Sequence, residues 1–534
     1  MKRLEDRAGF DLFPRRPKAS GFWPALLALL AGGVQAASVA WPLKIAALPG
    51  LQQGQPIWWA QILAMAVLVR LLTGSGSARQ AAWRGWLYAV AWLSLTFAWL
   101  FTSMHTYGGL PAVLALLAVL ALAAALALYY AAVCACFHAL ALTGKALTAI
   151  VFAAFWLLAE LMRGQWLTGF GWGAIGYAQL DGPLAGLIAW GGCYGAGFAA
   201  AALAALLANV LSAADWRDKA VSAATLLGLL AACLVLPLPQ GVSQGSLSVT
   251  LLQGNIPQEQ KFQAATGVPT ALRWYGEQFQ VSRSALTISP ETAVPLLPAQ
   301  LPEGYWQALQ QRFASGEQAA LVGVPLGNFT DGYTNSVVGL KPGQSPPWRY
   351  NKHHLVPFGE FIPPWFRWFT DLMNIPLGDF NRGALPQPTF DWRGQRLAAT
   401  ICYENLFSDE MARLFANPAQ APTMLVNISN LGWFGEHLAM DQHLQIARMR
   451  ALEFDRPFLL ATNTGRTAIV DHRGRVTHAL PSHTAAALTG EVQGRSGMTP
   501  YASWLSRWGL WPMWLLAVAG LLLMFWASRR NTPA

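Results

Sequence analysis

Long unbroken apolar runs fill the first 240 residues, and much shorter ones fill most of the rest. An α-helix needs roughly 20 apolar residues to cross the hydrocarbon core of a bilayer. Runs of that kind lie at about 21–41, 56–72, 85–104, 110–133, 146–163, 184–210, 219–238 and 508–527, which predicts a polytopic α-helical membrane domain of about eight spans. Residues 42–55 and 164–183 are interrupted by Pro and Gly, at Trp41-Pro42 and Pro49-Gly50 and again through Thr168-Gly169-Phe170-Gly171-Trp172-Gly173. Both read as loops, the second a candidate re-entrant one.

From Gly245 the pattern changes period. Strand-length runs stand at Ser248–Gln253, Ala285–Ser289, Ala319–Val324, Asn335–Leu340, Arg396–Tyr403, Thr423–Ser429, Pro457–Thr462 and Thr467–Asp471, with helical stretches near 268–282, 302–314 and 437–454. Strands alternating in part with helices predict an α/β domain, here long enough to bury its own core. The chain therefore divides into a transmembrane helical domain (1–240), a globular catalytic domain (241–505) and a final transmembrane helix with its tail (506–534).

Composition sharpens this picture. Only 12% of the residues are charged and 54% are hydrophobic, whereas soluble proteins carry about 25% charged residues. The net charge of +10 comes in large part from Lys and Arg flanking the apolar runs, and the globular part has no basic stripe, which excludes nucleic-acid binding. Lys2, Arg3, Arg7, Arg15, Arg16, Lys18, Arg70, Arg79, Arg84, Lys145, Arg217, Lys219, Arg529 and Arg530 all fall on one side of the predicted spans, against Lys44 and Arg163 on the other. The positive-inside rule makes the first side cytoplasmic. Both termini are then cytoplasmic and the large domain lies outside, on the periplasmic face of a bacterial inner membrane. The first run is long and lacks a clear cleavage site, so it reads as an anchor and not a removable signal. Glu160 and Arg163, three residues apart on one helical face, read as a local ion pair.

Of five cysteines, Cys134, Cys136, Cys193 and Cys233 lie in or beside apolar runs, where Cys behaves as a small hydrophobe. Cys402 alone lies in the globular part, so no disulfide forms there. Three segments carry chemistry. Ser289-Pro290-Glu291-Thr292-Ala293 puts Glu291 at a strand end, where open α/β sheets build their sites. Arg349 to Glu360 presents Lys352 in an extended, Pro-bounded stretch, and Thr400-Ile401-Cys402-Tyr403-Glu404 puts Cys402 at the end of another strand. His353, His354, His437 and His443 show no metal-ligand spacing such as H-E-x-x-H, so neither a metal nor another cofactor is expected.

Glu, Lys and Cys in that order, with these flanks, resemble the carbon–nitrogen hydrolase (nitrilase) superfamily. The resemblance implies an α-β-β-α sandwich and a catalytic triad of Glu291, Lys352 and Cys402. A soluble domain inserted between the last two spans resembles the apolipoprotein N-acyltransferase family within it. So do Gly254-Asn255-Ile256-Pro257-Gln258, Phe361-Ile362-Pro363, Ile428-Ser429-Asn430 with Trp433-Phe434-Gly435, the run Ala447 to Glu453, and the loop from Thr168 to Tyr177. The chain departs from that family at Ser289, at Leu431, and at Phe262 after Gln-x-x-Lys, where the family often has Trp, Asp and Trp.

The resemblance implies a thioester route. A thiol is a poor nucleophile until a base or cation helps it ionise; Glu291 would take its proton, and Lys352, with the Tyr403 backbone N–H, would hold the oxyanion. Glu360 and Glu404 are expected to hold Lys352 and orient Glu291. Phe262, Asn335, Asn430, Trp433 and Phe434 are expected to form lids or line the substrate site, with the Trp433-Phe434 pair keeping water off the thioester. The crowd of Phe361, Ile362, Trp365, Phe366, Trp368 and Phe369 is expected to dip among headgroups. The implied partners are a phospholipid acyl donor, with phosphatidylethanolamine the expected headgroup, and a diacylated apolipoprotein whose N-terminal amine accepts the chain in the last step of lipoprotein maturation. A membrane-tethered amidase or nitrile hydrolase is the competing reading, although eight spans exceed what a tether needs. A transporter is disfavoured by the few ionisable residues in the spans.

Overall fold

The computed structural model describes residues 21–44, 51–140, 146–328, 330–362 and 380–530, with side chains in the last helix as far as Leu522. The eight apolar runs all fall on helices. Five helices are long and apolar enough to cross a membrane: Phe22–Val39, Ala112–Leu140, Leu147–Thr168, Ala185–Ser212 and Trp216–Val235. Two further pairs qualify only if each bent pair is one span, and Trp58–Thr73 is a shorter apolar helix. By length and composition the described helices thus give five to seven spans, against the eight expected.

The bends have local causes. The run expected to be continuous over 85–104 breaks after Thr96, and Trp99–Tyr107 leaves at 53°. Thr96 turns its hydroxyl back onto the Trp92 carbonyl at 2.8 Å, a bond that bends helices. Before the last helix, Gly509 takes φ 56 and ψ −148, so Pro500–Trp508 meets Trp511–Leu522 at 93°.

After residue 240 the chain builds two six-stranded sheets. The first has the order β12-β1-β2-β3-β4-β5, with β1 at Val242–Gln253, β2 at Leu286–Ile288, β3 at Ala319–Asn328, β4 at Gly332–Leu340, β5 at Trp348–Asn351 and β12 at Ala486–Ser496. The second has the order β11-β10-β9-β8-β7-β6, with β6 at Phe390–Trp392, β7 at Gln395–Ile401, β8 at Met424–Ser429, β9 at Phe458–Thr462, β10 at Ala468–Val470 and β11 at Val476–Ala479. In each sheet the three strands β1-β2-β3 and β7-β8-β9 are parallel. Burial on both faces explains the mostly apolar sequences of β2, β8 and β9, whereas β1 is buried only from Leu247 on.

The two faces of these strands serve different cores. Val249, Leu251, Leu286, Ile288 and Leu321 meet Ile401, Val426, Ile428 and Leu459 between the sheets. Helices Gly267–Val281 and Tyr305–Ala314 cover the outer face of the first sheet. Leu438–Phe454 and Pro500–Trp508 cover the second. The result is an α-β-β-α sandwich. Its second outer layer also receives Leu157 and Leu161 from a membrane helix.

The two halves share a core. Tyr403, Leu406, Phe407, Ala439, Ile446 and Met449 of the sandwich pack among the membrane helices. Gln442 accepts hydrogen bonds from Trp99 Nε1 (3.1 Å) and Trp172 Nε1 (2.7 Å). The 164–183 loop is pinned by Arg163, which donates to the carbonyls of Phe170 (2.6 Å) and Trp172 (2.8 Å) and to the Tyr130 hydroxyl. Glu160 pairs with Arg163 at 4.0 Å as expected, and also accepts from the Ile175 N–H. The N-terminal arm, Pro49-Gly50, Lys145 and the aromatic residues Trp365, Phe366, Trp368 and Phe369 lie outside the described residues.

Candidate active site

Three loops converge at the ends of β2, β5 and β7. After β2 the Ser289 N–H still bonds to Leu321 O (2.9 Å), and Thr292 takes a positive φ of 47, so the chain turns sharply at Glu291. After β5 the Lys352 N–H donates to Asn335 O (2.8 Å) on the neighbouring strand. After β7 the nucleophile candidate Cys402 itself has a positive φ of 53 and opens the 3-10 turn Cys402–Leu406. Such a conformation costs a non-glycine residue of order 1–3 kcal/mol and persists only where the surroundings impose it. Here Asn427 Nδ2 holds the Cys402 carbonyl at 3.1 Å, and the His443 ring lies 3.5 Å from the same oxygen.

The charged groups form one buried cluster. Lys352 Nζ lies 2.8 Å from Glu360 Oε2 and 3.4 Å from Glu291 Oε1. Asn335 Nδ2 bridges the carboxylates, donating to Glu291 Oε1 (2.6 Å) and Glu360 Oε1 (2.9 Å). The Asn430 N–H donates to the other oxygen of Glu291 (2.8 Å), and the Val356 N–H to Glu360 (2.9 Å). Lys352 is 1% exposed and Cys402 8%. Burial works against the Lys352 ammonium, but Glu360 and Glu291 outweigh it and hold the group firmly protonated. Burial pushes the Cys402 thiol well up, and Glu291 and Glu360 add to this; Lys352 and a hydrogen bond from the Tyr403 N–H pull the other way. The resting thiol is thus protonated, beside a carboxylate able to accept its proton and a fixed cation able to meet negative charge.

Glu360 holds Lys352, but Glu404 does not. Its carboxylate accepts from the backbone N–H groups of Ile401 (2.7 Å), His353 (2.7 Å) and His354 (3.0 Å) and from the Tyr350 hydroxyl (2.9 Å). It therefore ties the strand before Cys402 to the segment after Lys352, and its role is carried by main-chain geometry. Burial raises Glu404 to about 7, against the pull of these main-chain donors and of the Lys352 charge. Tyr403 bonds through its hydroxyl to Gly169 O (2.8 Å) in the membrane loop.

The residues expected as lids separate into three groups. Asn335 and Asn430 touch Glu291, as above. Trp433 meets Tyr107 edge-on at 5.6 Å and Phe434 meets Trp99 at 4.6 Å, so this pair leans on the bent Trp99–Tyr107 segment. Phe262 is 47% exposed, and its ring lies against the neighbouring Lys261. Lys261 is the residue that sequence reasoning missed. It is 2% exposed and donates to the Glu291 carbonyl at 2.9 Å. Burial pushes it down to about 7, opposed by Glu291 and Cys402. Its only signal was the Gln258-x-x-Lys261 spacing, and Gln258 likewise reaches the site by accepting from Asn430 Nδ2 (2.7 Å).

Residues 248–501 match the carbon–nitrogen hydrolase family, and residues 22–206 match the apolipoprotein N-acyltransferase N-terminal domain. The chain is similar to an apolipoprotein N-acyltransferase of Verminephrobacter eiseniae, at 51% identity over 91% of this chain and 94% of that one. It is also similar to those of Ralstonia nicotianae (43% identity; 83% and 85% covered) and Bordetella bronchiseptica (42%; 96% and 97%). A carbon–nitrogen hydrolase domain joined to apolar helices defines the class, a bacterial membrane-associated enzyme. The chain belongs to the apolipoprotein N-acyltransferase family.

Proposed function

We propose that this protein transfers a fatty acyl chain from a phospholipid to the N-terminal amine of an S-diacylglyceryl cysteine, through a thioester on Cys402. The observation that carries the reading is the buried Glu291–Lys352–Glu360 cluster beside a thiol whose following turn packs among membrane helices. In the first half-reaction Glu291 takes the Cys402 proton and the sulfur attacks an ester carbonyl of the donor. Lys352 and the Tyr403 N–H stabilise the oxyanion; collapse releases a lysophospholipid alkoxide that Glu291 protonates. In the second half-reaction the acceptor amine attacks the thioester, its proton passes to Glu291, and the Cys402 thiolate leaves and recovers that proton. An amide results, and the enzyme returns to its starting state.

Both substrates are held by lipid tails, which supports a site wedged between a sandwich and a bundle of apolar helices. On this reading the catalytic domain spans about 241–505 and faces the periplasm from the inner membrane, with both termini cytoplasmic and all eight apolar runs embedded. Phosphatidylethanolamine is the proposed donor. Glu360 and Asn335 keep Lys352 and Glu291 in register, and Asn430 orients the second oxygen of Glu291. Trp433 and Phe434 close the site against water.

The test is acyl transfer from a labelled phospholipid to a diacylated lipopeptide, with intact-mass measurement of the enzyme after donor alone. Wild type should gain one acyl mass on Cys402, and Cys402→Ala none. Glu291→Gln and Lys352→Ala should slow adduct formation by about 10²-fold or more, as loss of general-base or oxyanion groups does. Transfer surviving all three substitutions, or release of free fatty acid in place of amide, overturns the reading.

A further inference from the structure

The catalytic cluster holds two carboxylates, Glu291 and Glu360, against one ammonium, Lys352. When Glu291 takes the Cys402 proton the negative charge moves from carboxylate to sulfur without growing, so the buried site carries one surplus negative charge before and after. Lys261 is the second lysine within reach, and it enters from the loop after β1, remote in sequence from the other members. Its Nζ makes a single hydrogen bond among the described residues, to the Glu291 carbonyl, and lies 5.9 Å from the centre of the Phe262 ring. The charged or titratable groups acting on it are Glu291 and Cys402. Glu360 and Lys352 follow, joined to the Glu291 carboxylate through Asn335 and directly.

A carbonyl needs only a donor, and a neutral amide would serve. Stripping water from an ammonium is costly unless opposite charge compensates it. The one bonded partner is uncharged, so what opposes the burial, without cancelling it, is the negative charge of the neighbouring cluster.

We propose that Lys261 is a positioning residue of this site: it holds Glu291 by its main-chain carbonyl, and its ammonium balances the second carboxylate so that negative charge can form at Cys402. This rests on the reading of Glu291 and Cys402 as base and nucleophile. Because burial brings Lys261 down to about 7, its charge is present in mildly acidic solution and lost in mildly alkaline solution. A residue that merely filled space would have no such dependence.

The experiment measures alkylation of Cys402 by iodoacetamide in the detergent-solubilised full chain from pH 6 to pH 9, read on the Cys402 peptide by mass spectrometry. It needs no lipid substrate, so it fails or succeeds independently of the acyl-transfer reading. Wild type should react at least fivefold faster than Lys261→Met at pH 6, with the ratio falling towards one above pH 8. Lys261→Arg, charged throughout, should match wild type at pH 6 and exceed it at pH 8.5. The rate of acyl-adduct formation from phospholipid should follow the same order, with kcat changed more than KM. A wild-type to Lys261→Met ratio that is constant with pH, or equal to one, overturns the proposal. If Lys261→Met does not fold, Lys261→Arg alone decides: a profile superimposable on wild type at every pH overturns it equally.

Discussion

Cys402 shows how a single residue's conformation carries both chemistry and cost. Its left-handed backbone opens the turn at the end of β7, and a Cβ in that region is strained. Removing the thiol should therefore be stabilising or destabilising according to what replaces it. Cys402→Gly is expected to melt above Cys402→Ala, by about 1 kcal/mol, since glycine alone adopts the positive φ freely. Thermal unfolding of the two inactive variants in the same detergent checks this. Glu404 makes the opposite point. All four of its donors are fixed, so Glu404→Gln, which must turn an NH2 towards at least one of them, should lose about 1–3 kcal/mol, the penalty of leaving a buried donor unpaired. Glu291, Lys352 and Cys402 were legible in the sequence because each sits in a short segment with its own flanking pattern. The function of Glu404 was not, since hydrogen bonds to main chain and to Tyr350 leave no periodic mark. Lys261 was overlooked because a lysine in a polar loop looks like any solvated lysine until the fold buries it.

At the scale of elements, apolar length picked out the long apolar helices, five to seven of which could cross a membrane against the eight expected, and strand-length apolar runs predicted β1 to β4 and β7 to β10. What escaped were β5, β6, β11 and β12. β11 exposes all four residues, β5 and β6 have four and three residues, and β12 mixes Ala, Gly, Gln and Glu, so none displays an apolar run. They are strands because a neighbour offers an edge, a tertiary cause invisible locally. The 164–183 loop was visible through its glycines, and Gly169 explains why. It has φ 81, and a Cβ there would lie 2.2 Å from the Gly164 carbonyl oxygen. Its own carbonyl accepts the Tyr403 hydroxyl. Gly169→Ala should thus move the loop and the turn after Cys402 together, costing about 2–4 kcal/mol from overpacking and the left-handed backbone combined. Tyr403→Phe removes the hydrogen bond alone and should cost about 1 kcal/mol. Melting temperature and the rate of Cys402 acylation, measured on both, should fall in that order; equal effects would mean that the loop does not set the turn.

At the scale of the whole molecule, the sandwich and the helices are joined by buried charge as well as by apolar packing. Arg450, on Leu438–Phe454, pairs with Glu453 (2.7 Å) and donates to the carbonyls of Asn405 and Leu406 in the turn after Cys402. Glu453 in turn accepts from the Cys193 N–H (2.8 Å), where Gly192, at φ 63, breaks the helical geometry of Ile188–Ser212 and lets the Tyr501 ring approach. One ion pair thereby spans the turn after Cys402, the outer helix and an apolar helix of the N-terminal half. Burial raises Glu453 to about 7, with Arg450 pulling it down. Arg450→Met removes that pull and leaves a buried carboxylate unpaired, a change worth about 3–5 kcal/mol. The sign with pH follows from linkage: a carboxyl raised in the folded state binds a proton there at pH values where the unfolded chain does not, so stability falls as pH rises from the ordinary carboxylate range through about 7. With Arg450 gone the window widens upwards, and the variant should be closest to wild type near pH 5 and furthest from it near pH 8. Adding Glu453→Gln removes the titrating group, so the double variant should lose this pH dependence and recover part of the stability, a coupling that a double-mutant cycle reads directly. Thermal melts of the four proteins at pH 5 and pH 8 separate this from simple loss of packing, which would leave Arg450→Met equally weakened at both.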